Sequence, residues 1–169
     1  KILVSMQCDT RISENEKNAK MIVEQIVNKL NPQNNELVYF DTLKLTNFKS
    51  FLEDSGVTVR SGEKITLNDY PKPLLVNFGL KNGYDYILGA TAKMAIENPI
   101  PNGVDPIRVR VDMDIKFVDV KNDKLLFFDT ISETGKHYDF WSGNKWKVAM
   151  QDALKKVMIS FQKTVPTIN

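Results

Sequence analysis

Cys8 and His137 are the single cysteine and single histidine of the chain, and together they could act as thiolate nucleophile and proton acceptor. Cys8 follows the apolar run Ile2-Leu3-Val4, which places it near the carboxyl end of a first strand. Open α/β sheets carry ligand sites there. Nothing in the sequence orients His137 or supplies an oxyanion hole, so a small half-buried thiol at a strand end accounts for Cys8 more simply. Asp129, Glu133, His137 and Asp139 crowd a short stretch and, gathered on a loop, would offer oxygen and imidazole ligands to a divalent cation. Their spacing matches neither an EF-hand nor H-E-x-x-H, and a solvated acidic loop explains them. Asp112 and Asp114 share a strand face, but Arg110 and Lys116 flank them. Cross-strand ion pairing on a wet face is simpler than acid–base catalysis. Neither G-x-x-x-x-G-K-[ST] nor G-x-G-x-x-G occurs. The residues therefore predict no enzyme, no cofactor and no metal.

The segment His137-Tyr138-Asp139-Phe140-Trp141-Ser142-Gly143-Asn144-Lys145-Trp146 carries a different chemistry. Tyr and Trp bury large rigid surfaces and keep a polar tip, which concentrates them at recognition hot spots. Tyr138, Phe140 and Trp141, on a loop spanning 132–144, are the expected partner-binding residues, with the 97–106 loop beside them. The competing reading makes Phe140 and Trp141 a lid on the open end of the core. Base stacking is conceivable, but Lys145 and Lys147 make a thin electrostatic footprint.

Hydrophobic patterning supplies the elements that position these residues. Ile2–Val4 reads as a strand covered on both faces. Ser13 and Glu16 form a capping box, and Ala19, Ile22, Val23, Ile26, Val27 and Leu30 recur on one helix face until Pro32. Leu37–Phe40 is a second strand, which makes a βαβ unit with parallel strands. Phe48, Phe51 and Leu52 suggest a short helix closed by Gly56. Val57–Val59 suggests a minor strand. Leu74, Leu75 and Phe78 suggest a helix with Pro71 and Pro73 near its start and Gly83 past its end. Residues 84–96 read as a long strand. Ile107, Val109, Val111, Met113, Ile115 and Phe117 alternate strictly with Arg108, Arg110, Asp112, Asp114 and Lys116, giving a strand with one buried and one wet face. Asn122-Asp123 is a turn and Leu125–Ile131 the next strand. Trp146, Ala149, Met150, Ala153, Leu154, Val157, Met158 and Phe161 form the stripe of a final helix, with Asn144 as cap and Pro166 as stop. The expected fold is α/β with α+β character: one domain over residues 1–169 with a mixed sheet. It opens with the parallel βαβ unit and continues with a three-stranded antiparallel meander and a terminal helix on the sheet.

Composition bounds the rest. The 169 residues are 42% hydrophobic and 26% charged, with a formal charge of +2, which excludes disordered and low-complexity classes. No run of like charges marks a nucleic-acid or membrane-surface arm. No apolar stretch approaches the roughly 18–20 residues that span a bilayer, so a membrane link requires an anchor outside these residues. A chain opening on Lys1 reads as a processed product. Gln7 disfavours lipidation of Cys8, because the residue before a lipidated cysteine is small.

The second half resembles a known family. Tyr84-Asp85-Tyr86-Ile87-Leu88-Gly89-Ala90 is similar to the "A-D-Y-x-L-x-G" strand of the family that includes the amino-terminal domain of TolB, the curli-secretion lipoprotein CsgG and the penicillin-binding-protein activator lipoprotein LpoB. The following "l-x-l-x-l-x-D-v-x-t-g" strand of that family is matched by Met113–Leu125, with Asn122-Asp123 in the turn. Ala149 and Ala153 fall where the family has paired alanines in a last helix. The match is best over 84–163 and loose over the opening βαβ unit. Residues 43–80 depart from the pattern. The resemblance implies an exported, often lipid-anchored component of the bacterial envelope that acts through a protein partner, as an adaptor or assembly factor, and not on nucleic acid. The family's motif encodes no binding residues to transfer. The alternative is a cytosolic small-ligand-binding protein or enzyme using the Cys8 end of the sheet.

Overall fold

A computed structural model describes residues 1–9, 36–62, 64–97, 106–138 and 145–164. The strands are β1 (Ile2–Cys8), β2 (Leu37–Tyr39), β3 (Tyr86–Ile96), β4 (Ile107–Asp119) and β5 (Lys124–His137). The helices are α1 (Thr42–Asp54), α2 (Lys72–Asn82) and α3 (Lys145–Thr164). The strands form one mixed sheet in the order β2-β1-β3-β4-β5, with β2, β1 and β3 parallel and the strands after them antiparallel. Ile2, Leu3 and Val4 of β1 pair with Leu37, Val38 and Tyr39 of β2, and all three are buried, as a strand covered on both faces requires. This is the expected α+β architecture. The segment expected to form the 13–30 helix, with Pro32, and residues 98–105 of the 97–106 loop, Asn144 and Pro166 lie outside the described residues. None of the described helices is long and apolar enough to cross a membrane. The residues cluster into two compact units, 1–7 with 35–90 and 115–128, and 8–34 with 91–114 and 129–169.

The first unit is built on aromatic packing. Asp41 starts α1 by accepting the Lys44 N–H at 2.9 Å, and Gly56, at φ +76°, closes it. Pro71 precedes α2 and Gly83, at φ +69°, ends it in the left-handed region that glycine favours. The buried ring of Phe48 lies 4.8 Å from Phe78, 5.1 Å from Tyr70 and 5.9 Å from Phe40, centroid to centroid. Edge-on pairs of this kind add about 0.5–1.5 kcal/mol each beyond area burial. Three expectations need correction here. Val57–Val59 is not a strand, because the Val57 N–H is taken by Leu52 O at the end of α1, and Val57 and Val59 pack on the aromatic cluster. The third strand starts at Tyr86 because the Tyr84 N–H closes α2 on Gly79 O. Lys116 is not on a wet face: it is 8% exposed, and its ammonium donates to Asn68 O and, at 2.9 Å, to Tyr70 O.

In the second unit the β4 alternation holds. Ile107, Val109, Val111 and Met113 are buried while Arg108 and Arg110 are exposed. The α3 stripe of Ala149, Met150, Ala153, Leu154, Val157, Met158 and Phe161 is buried as its spacing demands. Each large member is worth about 1.5–3 kcal/mol when fully buried. Gly135 permits the close approach of β5 to α3: a Cβ there would sit 1.8 Å from Ala149 O and 2.4 Å from Ala153 N. Strand β5 runs on to His137, so residues 132–137 are strand where a loop was expected.

Candidate functional site

Along β5 the residues that would have made a cation site are drawn apart. Asp129, Glu133 and His137 sit four residues apart on an extended strand. At about 3.3 Å per residue, successive members are separated by roughly 13 Å, too far to share an ion. Glu133 instead accepts the Ser160 hydroxyl, and Asp129 accepts the Thr130 N–H at 2.8 Å. Asp139 is outside the described residues. No group of three His, Cys, Asp or Glu that could hold a metal occurs among the described residues. Cys8, at the end of β1, is half-buried.

The polar face of the second unit pairs its charges across strands as expected. Lys93 on β3 lies 3.9 Å from Asp114 on β4, and Arg110 lies 3.7 Å from Glu97 and 3.3 Å from Asp112. Thr130 on β5 donates to Asp114 at 2.6 Å. Lys93, Arg110, Asp112, Asp114, Thr130 and Ser132 line an open depression of about 470 Å3. Its two cations and two carboxylates balance in formal charge and pair with one another.

Tyr138 is 63% exposed just beyond β5. Phe140 and Trp141 lie outside the described residues. Trp146 is half-buried in the first turn of α3, with the Lys147 ammonium 5.4 Å from its ring.

The edge of β5 is the feature that patterning alone does not reveal. Asp152 of α3 accepts the Lys136 N–H at 3.1 Å, and Lys156 donates to Thr134 O at 2.9 Å while pairing with Asp152 at 2.9 Å. These side chains close backbone groups that no neighbouring strand takes, since β5 ends the sheet. The i, i+4 spacing of Asp152 and Lys156 was the available signal, but on a helix it reads as a surface pair.

Two further residues escape sequence reasoning. Gln7 lines a cavity of about 280 Å3 at the carboxyl ends of β1 and β2, with Met6, Phe40, Asp41, Leu45 and Ile65. Its side-chain nitrogen donates to Ile65 O at 2.5 Å, and its buried Oε1 has no partner among the described residues. The Asp41 carboxylate at this cavity is held below the usual carboxylate range, first by the Lys44 backbone N–H and then by the Lys44 side chain. It is a helix cap and stays ionised. Lys116 is the other: its ammonium lies 4.6 Å from the Phe128 ring centroid, and burial pushes it below the usual lysine range. It clamps the 66–70 segment to the sheet.

No family model and no curated protein matches the chain. Solved structures do. A structure from Helicobacter pylori described as a neuraminyllactose-binding hemagglutinin homolog matches with a TM-score of 0.52 at 12% identity, over 98% of this chain and 84% of that one. Lipoprotein GNA1162 from Neisseria meningitidis matches with a TM-score of 0.42 at 13% identity, over 94% and 96%. The LpoB C-terminal domain from Salmonella enterica matches with a TM-score of 0.35 at 10% identity, over 78% and 80%. At these identities the Helicobacter pylori likeness is one of fold.

Proposed function

We propose that the chain is an exported, non-catalytic component of the bacterial cell envelope that works by binding another envelope protein, as an adaptor or assembly factor. The observation that carries this reading is the fold shared over 98% of the chain with the Helicobacter pylori hemagglutinin homolog. The residue-level resemblance of 84–125 to envelope lipoproteins points the same way. The chemistry of the described residues agrees with it. Asp41 caps a helix, Asp114 pairs across strands with Lys93, and Lys116 clamps a loop.

The partner surface in this reading is Tyr138, Phe140 and Trp141, which follow the end of β5 in the sequence. Tyr138 is exposed, and Phe140 and Trp141 follow it within three residues of sequence, a concentration of large aromatics of the kind that recognition surfaces use. The test is a photo-crosslinking residue at position 138 in the full-length protein, combined with Trp141→Ala. A crosslink to one envelope protein that Trp141→Ala abolishes, at an unchanged melting temperature, supports the surface. A Trp141→Ala variant destabilised by about 3–5 kcal/mol identifies the ring as core and removes it.

A second reading rests on the Gln7 cavity. Its walls mix the apolar Met6, Phe40, Leu45 and Ile65 with the polar Ser5, Gln7, Asp41 and Thr42, and with one unpartnered buried acceptor they suit a small ligand carrying a hydroxyl or amide donor, in a cytosolic binding protein. Recovery of the full-length product in the cytosol would favour this reading.

A further inference from the structure

The edge of β5 is closed over part of its length only. Thr130 and Lys136 direct their N–H groups to the carboxylates of Asp129 and Asp152, and Thr134 directs its carbonyl to Lys156. Even-numbered residues of β5 therefore turn their backbone groups away from β4. By the two-residue period of a strand, Leu126 and Phe128 do the same. Among the described residues no side chain closes those groups. Leu126 and Phe128 sit in the most apolar part of the strand, Leu125-Leu126-Phe127-Phe128, where Leu125 is 40% and Phe128 60% exposed. Outward donors and acceptors that none of the described residues takes are a template for another extended backbone.

We propose that two copies of this chain pair edge to edge through Lys124–Phe128, antiparallel about Leu126. The limits of the open window select this occupant. Extended backbone begins at Lys124, after the Val120–Asp123 turn, and free outward groups end before Thr130. A partner strand must fit between the turn and the side-chain caps. The antiparallel two-fold register about Leu126 fits: Leu126 faces its own copy, and Lys124 of each copy faces Phe128 of the other. Thr130 then falls opposite Asn122 in the turn, so every cap from 130 to 136 stays in place. Shifting the register drives the partner onto closed groups or onto the turn. The paired side chains are also complementary. Lys116 already holds an ammonium over the Phe128 ring, and Lys124 of the second copy brings another cation and its aliphatic stem to the same aromatic. The contact is smaller than the standard interface, so the pair is weak and forms at high local concentration.

Sedimentation equilibrium of the chain from micromolar to millimolar concentration, with amide hydrogen exchange at both ends of the range, tests this. The expected result is a mass rising toward two chains. The Leu126 and Phe128 amides gain protection with concentration, while Phe127, whose N–H points to β4, is protected throughout. Leu126→Pro removes an outward N–H without touching the β4 ladder and should weaken the pair at least about tenfold. Exchange on the unaltered protein decides the matter if that variant fails to fold. A monomer at every concentration overturns the proposal. So does association beyond two chains, since an isologous edge contact closes at two. A dimer that leaves the Leu126 and Phe128 amides unprotected, or that Leu126→Pro forms equally well, also overturns it.

Discussion

Replacing Gly135 by alanine probes the close approach of β5 to α3. The added methyl would meet Ala149 O at 1.8 Å and Ala153 N at 2.4 Å, and both are backbone atoms that no rotamer change can move. A carbon approaches a carbonyl oxygen to about 3.3 Å at best, so α3 must retreat from β5 by roughly 1.5 Å. Gaps of about 0.5–1 Å already forfeit about a quarter to a half of the dispersion energy of the facing atoms. The apolar stripe from Ala149 to Phe161 sits on this helix. The retreat also pulls Asp152 and Lys156 off the Lys136 N–H and Thr134 O, each bond worth about 1 kcal/mol net. Alanine returns only about 0.5–1 kcal/mol over glycine through lower backbone entropy in the unfolded chain. The expected loss is about 3 kcal/mol or more, at the upper end of overpacking effects. For a chain of this size that lowers Tm by roughly 6–12 °C. Calorimetry and urea titration measure it, with Gly56→Ala as the reference. Gly56 has open space around it, and its φ of +76° should cost about 1–2 kcal/mol. A Gly135→Ala variant as stable as the parent, or less affected than Gly56→Ala, would refute the close packing of α3 on β5.

Lys116→Met leaves Asn68 O and Tyr70 O without their donor and should destabilise by about 2 kcal/mol in urea titration. Burial lowers the Lys116 pKa, so the native state sheds that proton before the unfolded chain does. The parent should therefore gain stability as pH rises toward the ordinary lysine value of 10.5, and Lys116→Met should lack that gain. Asp85 is held below its ordinary value of 3.8, chiefly by the Lys121 ammonium at 2.6 Å. Its contribution is present above 3.8 and is lost as pH falls below that through the folded value, a dependence that Asp85→Asn should remove from acid-unfolding curves. Asp152→Ala uncaps the β5 edge, and amide exchange at Lys136 should accelerate several-fold while residues bonded to β4 keep their rates.

Much of the scaffold can be read from periodicity because burial there is one-sided or complete. The α3 stripe, the β4 alternation, the apolar β1 run and the Pro–Gly punctuation of α2 each have one local cause, and the structure keeps all four. Lys116 shows where that reading stops. Its place in the alternation makes it a wet residue, and only the 66–70 segment, contributed from elsewhere in the chain, covers it. Val57–Val59 has strand propensity, but a helix carbonyl claims the Val57 N–H first. The carboxylates and imidazole near 129–137 looked convergent on the assumption of a loop, and an extended strand separates them. Tyr138, expected from sequence as a partner-binding aromatic, is exposed in the structure. Gln7 and the caps on β5 were not legible in the sequence, because an orphan acceptor and a strand edge exist only once distant segments meet.

The proposed role places this chain outside the cytoplasm, at the envelope. The direct measurement fuses the full-length gene product at its carboxyl end to alkaline phosphatase, a reporter active only after export, with fractionation of the same cells. The account predicts high phosphatase activity and recovery of the protein with the envelope. An inactive reporter on a stable fusion protein recovered from the cytosol would contradict it.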